Sequence, residues 1–356
     1  MQVPAPAFDL RPIDLRAATS HEYECVNTLR NVIRGEILPQ DPPWPCSEDI
    51  HRWQATPTVV EEHSWAAWGN YNERVLALAQ AKIYQTGDNP HILWFDIQVL
   101  PEFRRQGIAR SMLPLIVDRA RREQRHLLMN ECNDRVPAAA AFLTRLGASQ
   151  GLEEPVNELQ LRGLDHSLIE RWLERESDLS AEFELGLWDQ PYPDKRLQDI
   201  SDLLQEVAND QPRDSLQMDD TNYTPDLIRQ WDDGQRAGGD QRWTLYLTRR
   251  IDGALVAVSE VYWNPNRPHI LWQGFTGVMP AHRGRGLGRW LKARMLMKVM
   301  QERPQVQVIR AGNATSNAPM LKINRTLGFK QLVSWSIWQV ELESVERYLA
   351  SAGPSR

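Results

Sequence analysis

The sequence predicts a mixed α/β fold (α+β, around a mixed sheet) that occurs twice along the chain. Its 356 residues exceed one ordinary domain and suit two domains of about 175 residues each. The pentapeptide Pro90-His91-Ile92-Leu93-Trp94 recurs at 268–272, 178 residues later. At the same offset Trp53 pairs with Trp231, and Trp65 pairs with Trp243. An offset held over about forty residues indicates a duplication.

Each copy shows the same order of strand and helix patterns, identified by alternating and helical spacing of apolar residues. In the first copy we expect a strand at 8–13, a helix at 22–33, a hairpin at 66–84, a strand at 92–100, a helix at 108–122, a strand at 126–130, a helix at 138–146 and a last strand at 158–161. In the second copy we expect a strand at 183–188, a helix at 197–207, strands at 244–248, 255–262 and 271–279, a helix at 287–300, a strand at 306–310, a helix at 318–327 and a last strand at 333–342.

The polar segment between the copies predicts a linking helix. The domain boundaries that follow are 1–163 for the N-terminal domain, 164–178 for the linker and 179–356 for the C-terminal domain.

Composition and charge exclude several classes of protein. The net charge of −6 argues against nucleic-acid binding, which usually requires a basic excess. The three cysteines are scattered without metal-ligand spacing, so the sequence predicts no metal site and a reducing compartment. No apolar run approaches the roughly 20 residues of a membrane span. We therefore expect a cytoplasmic protein that binds neither membrane nor nucleic acid; its oligomeric state does not follow from the sequence.

A basic, glycine-containing turn follows a strand and opens a helix in both copies. In the first copy it contains Arg104, Arg105, Gln106, Gly107, Ile108 and Ala109, and in the second Arg283, Gly284, Arg285, Gly286, Leu287 and Gly288. Glycine lets the backbone approach a ligand, and the first-turn N–H groups and the helix dipole suit a pyrophosphate. One such turn could be an ordinary helix entry with solvated arginines. Its recurrence at the same place favours phosphate binding.

The pattern Arg-x-x-Gly-x-Gly/Ala between a strand and a long helix resembles the acyl-CoA pyrophosphate loop of the GNAT (Gcn5-related N-acetyltransferase) superfamily. Leu327-Gly328-Phe329 in the second copy and Leu146-Gly147-Ala148 in the first stand where that family has Leu-Gly-Phe. The order of elements matches over nearly the whole chain, twice. The arrangement is similar to the tandem GNAT proteins that include mycothiol synthase.

The resemblance implies that acetyl-CoA, or another acyl-CoA, is the co-substrate and that an amine of a small molecule attacks its thioester directly. Backbone groups near Val99 and Val278 would face the pantetheine and the thioester carbonyl, where an N–H can stabilise the oxyanion. Asn133, Asn313 and Asn317 are candidates to contact the cofactor; capping a turn or helix is the alternative for them.

The acid and the base of the reaction are less clear in the sequence. Many GNAT enzymes carry a tyrosine four residues before the glycine of Leu-Gly-Phe, where this chain has Leu143 and Asn324. Candidate general bases are Asp96 on a strand of the first copy and Glu260 on a strand of the second. Glu131 and Glu158 are further options, and for each of these carboxylates an exposed or salt-bridged surface role is the alternative.

We favour the second copy as the catalytic one because its motifs are fuller. Its acidic segment 209–243 predicts attraction of a cationic amine, with a solvated loop as the alternative. A CoA-binding sensor or scaffold that has lost its chemistry is the alternative function.

Overall fold

The computed structural model of the protein describes residues 8–69 and 73–351. Packing groups them into two compact units. The first unit contains residues 8–69, 73–153, 214–219 and 335–351, and the second contains residues 154–213 and 220–334.

The first unit is built on a mixed sheet. The strand order is β1 (Asp9–Ile13), β2 (Val60–Gly69), β3 (Arg74–Tyr84), β4 (Ile92–Val99), β5 (Leu127–Asn133) and residues 335–341 of β12 (Lys330–Glu341). β4 and β5 are parallel, and the other neighbours are antiparallel.

Helices cover both faces of this sheet, because successive strand residues point to opposite faces. The helices are α1 (Ser20–Ile37), α2 (Cys46–Gln54), α3 (Ile108–Arg122), α4 (Pro137–Arg145) and α11 (Leu342–Ser351). Ala67 and Leu76 pack with α3 and α11, whereas their neighbours Trp68 and Val75 pack with α1 and α2.

The second unit repeats this plan. Its strand order is residues 154–160 of β6 (Ser149–Gln160), β11 (Val308–Gly312), β10 (Ile270–Val278), β9 (Leu255–Trp263), β8 (Gln241–Arg249) and β7 (Phe183–Asp189). Only the β10 and β11 pair is parallel among the pairings described within this unit. Its helices are α5 (His166–Leu173), α6 (Glu176–Ser180), α7 (Leu197–Val207), α8 (Pro225–Ala237), α9 (Leu287–Glu302) and α10 (Ala318–Leu327).

Each sequence copy contributes its last strand to the unit formed mainly by the other copy. Residues 335–341 of β12 pair with β5, and Val340 and Val345 are buried in the core of the first unit. Residues 156–160 of β6 pair with β11 in the second unit. The domain boundaries at 163 and 179 are based on the sequence repeat and stay predictions. The two units are defined by packing, so their limits differ from those boundaries.

The segment predicted as a linker forms α5 and the beginning of α6. Ile169 of α5 and Leu164 before it are buried in the core of the second unit. Asp165 caps α5 by accepting the backbone N–H of Leu168 at 3.2 Å.

Three helices, α2, α8 and α11, are not evident from the sequence pattern. The clearest case is α8, which lies in the acidic segment 209–243, for which a solvated loop was the structural alternative. Its N-cap Thr224 accepts the backbone N–H of Leu227 at 3.2 Å, and Pro225 occupies its first turn. Its buried face includes the charged residue Asp232, which disguises the helical period.

Within the described ranges, no helix is long and apolar enough to cross a membrane, and no group of three or more His, Cys, Asp or Glu residues could hold a metal ion.

The exchange of last strands predicts where a core substitution acts. Replacing fully buried Val345 by Ala removes two methyl groups and should cost about 1.6 kcal/mol, at about 0.8 kcal/mol for each buried group. Hydrogen exchange should then accelerate in β5 and α3. The matched control is Val261→Ala in the second unit, which should accelerate exchange in β8 and β9 instead. Unchanged protection of β5 in Val345→Ala would contradict the assignment.

Candidate functional site

The centre of each unit is a pair of parallel strands that diverge. In the second unit β10 pairs with β11 only over 270–272 against 308–310, and in the first unit β4 pairs with β5 only over 92–94 against 127–129. Beyond Trp272 and Trp94, no ladder pairing joins the two facing strand edges among the described residues. A gap therefore opens between the strands, immediately before the basic turn of each copy.

A β-bulge distinguishes the second unit from the first. Gln273 pairs with Val261, but Thr276 pairs with Ser259, so β10 carries one residue more than β9 over this stretch. In the first unit the register of β3 and β4 is constant from Ala77 opposite Val99 to Lys82 opposite Trp94. The bulge releases backbone groups of β10 from the ladder with β9, just beyond the point where the pairing of β10 with β11 ends, and bulges are common next to active sites.

The sequence carries a signal for this bulge. The offset between the copies is 178 at Trp94 and Trp272, but 179 at Val99 and Val278. One residue is therefore inserted in the second copy between these positions, which is where the register changes.

The basic turns position glycines at the start of α3 and α9. Gly107 and Gly286 are the N-cap residues, with φ of 87° and 93°. Gly284 also has a positive φ of 75°, whereas its first-copy counterpart Arg105 adopts 61° with a side chain. A Cβ atom at Gly107 or Gly284 would meet no atom within 4 Å from any described residue other than its chain neighbours. Backbone conformation therefore favours glycine at these positions, and the space over the turn is open.

The first arginine of each turn braces the turn. Arg104 donates from Nε to the Val99 carbonyl at 3.0 Å and from its two terminal nitrogens to the Glu36 carboxylate at 2.6 Å. Arg283 donates to the Val278 carbonyl at 3.0 Å and to Asp210 at 2.6 Å. Val99 and Val278 thus lie at the gap, fixed by the arginines that follow them.

The remaining turn residues have different surroundings. Arg285 pairs with Glu182, with Nη1 donating to Oε1 at 2.8 Å. Gln106 donates to the carbonyl of Glu102 at 2.9 Å. Ile108 and Leu287 are buried and anchor their helices in the two cores. Gly288 lies close to β10, since a Cβ atom there would be 3.8 Å from Cγ2 of Val278; its counterpart Ala109 packs against the first core.

Two of the three candidate asparagines make local capping bonds. Asn317 is the N-cap of α10 and accepts the Met320 N–H at 3.3 Å. Asn133 accepts the Arg135 N–H at 2.9 Å, and its buried side-chain nitrogen has no hydrogen-bond partner among the described residues. Asn313 instead accepts the side-chain N–H of Asn324 at 2.7 Å. These contacts do not test cofactor binding, which stays a prediction for all three.

Arg175 is a basic residue near the second turn that the motif does not include. Its Nη1 donates to the Arg285 carbonyl at 3.2 Å and would lie 3.5 Å from a Cβ atom at Gly286. It stands 110 positions before Arg285 in the sequence. No local pattern could therefore associate it with the turn.

Glu260 is buried beside the bulge. Its carboxylate accepts the Tyr192 hydroxyl, the Tyr262 hydroxyl at 3.2 Å and the Phe275 backbone N–H. Burial is the main cause that raises the pKa of Glu260 to about 7. The first unit has no carboxylate here: the sequence offset places Lys82 at this position, and the strand ladder places Gln80.

The other candidate carboxylates lie in different environments. Asp96 is on β4 and accepts Gln98 Nε2 at 2.8 Å, and burial by surrounding protein raises its pKa although part of the residue remains exposed. Glu131 is exposed on β5. Glu158 pairs with the buried Arg310 at 2.9 Å. The structure thus brings Glu260 and the bulge together, and Asp96 lies in the other unit.

Two segments of the chain, residues 29–148 and 202–329, match the model of the acetyltransferase (GNAT) family. Together they cover more than half of the chain. The protein therefore belongs to the GNAT family and is a tandem acyl-CoA N-acyltransferase.

Solved structures share this fold. A tandem GNAT protein from the clavulanic acid biosynthesis pathway, solved without acetyl-CoA, has a TM-score of 0.75 and 21% identity, covering 98% of this chain and 100% of that one. A GCN5-related N-acetyltransferase from Sphaerobacter thermophilus has a TM-score of 0.61 and 13% identity over 94% and 96% of the two chains. A GCN5-related glucosamine N-acetyltransferase region of a fungal multi-domain β-N-acetylglucosaminidase has a TM-score of 0.66 and 12% identity over 95% and 38%. A search of curated protein sequences gives no match.

The turn geometry predicts different effects of one substitution in the two copies. Gly286→Val places a β-branched side chain at a left-handed φ, at a strain of about 1–2 kcal/mol, and over the turn. We expect the affinity of the second copy for CoA to fall by at least about tenfold, the equivalent of 1.4 kcal/mol. Calorimetric titration with acetyl-CoA measures this.

The matched variant is Gly107→Val, which should leave acetyl transfer intact if the second copy is catalytic. Loss of all turnover in folded Gly107→Val would refute that assignment.

Proposed function

We propose that the second copy transfers the acetyl group of acetyl-CoA to an amine of a small molecule, by direct attack within a ternary complex. The β10 bulge carries this proposal. It combines a gap between parallel strands, backbone groups released from the ladder and a buried carboxylate. Such a gap suits the pantetheine arm, and a released N–H suits the oxyanion that forms on the thioester carbonyl.

The turn before α9 would hold the pyrophosphate. Gly284 and Gly286 leave its backbone open, and the first-turn N–H groups of a helix attract an anion. Arg175 and Arg285 would add positive charge. Arg283 would act by holding the turn in shape, since its side chain already binds the Val278 carbonyl and Asp210. The equivalent turn of the first copy could also bind CoA.

Glu260 would serve as general base. A pKa of about 7 leaves a large fraction of the carboxylate able to accept a proton near neutral pH. Asp96 is the corresponding candidate if the first copy proves catalytic.

The acidic segment gives the cationic acceptor less support than its composition implies. Asp210 pairs with Arg283, Asp220 with Arg213, and Asp233 with Arg236. Asp232 is buried against Arg242 and Arg229. These pairs neutralise much of the local charge, so we propose an amine acceptor without assigning a net positive charge to the rest of it.

The alternative of a sensor or scaffold without chemistry, which the sequence left open, is not favoured by the family match. Such a protein would bind CoA but would release no free thiol from acetyl-CoA in the presence of amines. Calorimetry with acetyl-CoA gives affinity and stoichiometry, and a thiol assay across a panel of primary amines tests turnover. Binding without thiol release from any amine would favour the sensor; no binding would refute acyl-CoA dependence.

The pKa of Glu260 predicts a pH dependence. A general base must be deprotonated, so the turnover rate should rise with pH through about 7. Glu260→Gln should lower turnover by about 10²–10⁴-fold and remove this limb of the profile. The matched control is Asp96→Asn, which should change neither the turnover rate nor its pH profile.

Thermal denaturation provides a separate check on the same pKa. The folded pKa lies above the ordinary value of 4.5, so the contribution of Glu260 to stability is full below 4.5 and is lost as pH rises through about 7. As pH rises from 4.5 to about 7, the stability of Glu260→Gln should therefore increase relative to that of the wild type. An activity profile that Glu260→Gln leaves unshifted would exclude Glu260 as the base.

A further inference from the structure

A hydrogen-bonded network of three polar side chains lies in the core of the second unit. Lys292 on α9 donates from Nζ to Asn324 Oδ1 on α10 at 3.2 Å, and Asn324 donates from Nδ2 to Asn313 Oδ1 at 2.7 Å. Lys292 is 2% exposed and Asn324 is 1% exposed. Asn313 directly follows β11, the strand that borders the gap. This hydrogen-bonded network therefore extends from a buried ammonium group to the edge of the proposed thioester site.

The surroundings of Lys292 are almost entirely apolar. A small internal void beside it is lined by Val261, Gln273, Met295, Leu296, Ile309, Leu327 and Phe329. Gln273 is the first residue of β10 beyond its pairing with β11. The ammonium group thus lies next to the point where the gap opens. Burial lowers the pKa of Lys292 to about 8, close to the ordinary pKa of a thiol.

The first copy shows that the fold does not need this charge. Leu113 occupies the position of Lys292 on α3, and Leu143 occupies the position of Asn324 on α4. Both leucines are buried. Burying a lysine without a carboxylate partner is costly, and a leucine would fill the same place. The second copy therefore carries a polar pair at a cost in stability, and Asn324 of that pair stands at the position where many GNAT enzymes have a tyrosine.

We propose that Lys292 is the proton donor to the departing thiolate of CoA, with Asn324 and Asn313 holding it toward the gap. This inference rests on the proposed function of the second copy. The amine nitrogen bonds to the thioester carbonyl carbon and loses a proton to the proposed general base Glu260. The tetrahedral intermediate then collapses, with its C–S bond broken and the electron pair on sulfur. A proton moves from the Lys292 ammonium to sulfur, giving free CoA thiol. The neutral amine of Lys292 then regains a proton from solvent.

The test follows the thiol of bound CoA and needs no acceptor. The full chain is saturated with CoA and titrated with base around the ordinary thiol pKa of about 8.5, while the ultraviolet absorbance of the thiolate is recorded. The same protein with desulfo-CoA gives the background. A nearby ammonium group stabilises the thiolate. Lys292→Leu should therefore raise the pKa of the bound thiol by about one unit, which is a tenfold decrease in its acid dissociation constant.

Two further variants separate charge from packing. Lys292→Gln keeps a hydrogen-bond donor but loses the charge, so it should raise the pKa of the bound thiol as Lys292→Leu does. It replaces the leucine variant in the test if that variant unfolds. Lys322→Gln removes an equal charge from the exposed face of α10 and should leave the bound thiol unchanged. All variants should bind desulfo-CoA with the wild-type affinity.

The outcomes separate this inference from the function on which it rests. If wild-type protein binds CoA but its thiol has the same pKa in both Lys292 variants, the proton-donor role is overturned and the acyltransferase proposal stands. If wild-type protein does not bind CoA, the proposed function itself fails. A thiol pKa raised in both Lys292 variants, but not in Lys322→Gln, supports the assignment.

Discussion

The divergence of one parallel strand pair organises the second unit. β10 and β11 pair over only three residues before they separate, so the backbone of one strand edge is left without a ladder. The bulge in β10, the carbonyl contact of Arg283, the left-handed glycines and Glu260 all lie around that separation. Backbone polar groups that lose their ladder need other partners, and in the proposed function the amides of a pantetheine arm would supply them. The gap is therefore the constraint to which the neighbouring residues conform.

The sequence predicts the turns and strands around this site better than it predicts the side-chain contacts. Glycine spacing and the strand before it identify both turns because left-handed backbone is a local requirement. The bulge is visible as a change of offset from 178 to 179. Arg175 and the Lys292 network could not be predicted, because tertiary packing joins residues that are distant in the chain. Helix α8 is obscured because Asp232, a charged residue, lies on its buried face.

The two copies keep one backbone plan but differ in what they bury. The first places Leu113 and Leu143 where the second places Lys292 and Asn324, and it tolerates Arg105 at a backbone conformation for which the second uses Gly284. Apolar side chains favour stability, whereas a buried lysine without a carboxylate partner is costly and is a candidate for chemistry. The shared apolar positions follow the fold, and the difference at Lys292 and Asn324 is the one on which the proposed proton-donor role rests.

The exchange of last strands has a consequence for the order in which the protein matures on the ribosome. The part of β12 that pairs with β5 begins at Trp335, so the sheet of the first unit cannot be completed until that segment has emerged. At about 5–20 residues per second, the earliest segments wait tens of seconds for that partner. The second unit, whose β6 segment precedes the rest of it, has every strand available sooner. The unit whose strands are translated first is thus completed last, and the β5 edge stays unpaired until then, which is the kind of edge that can pair with another chain.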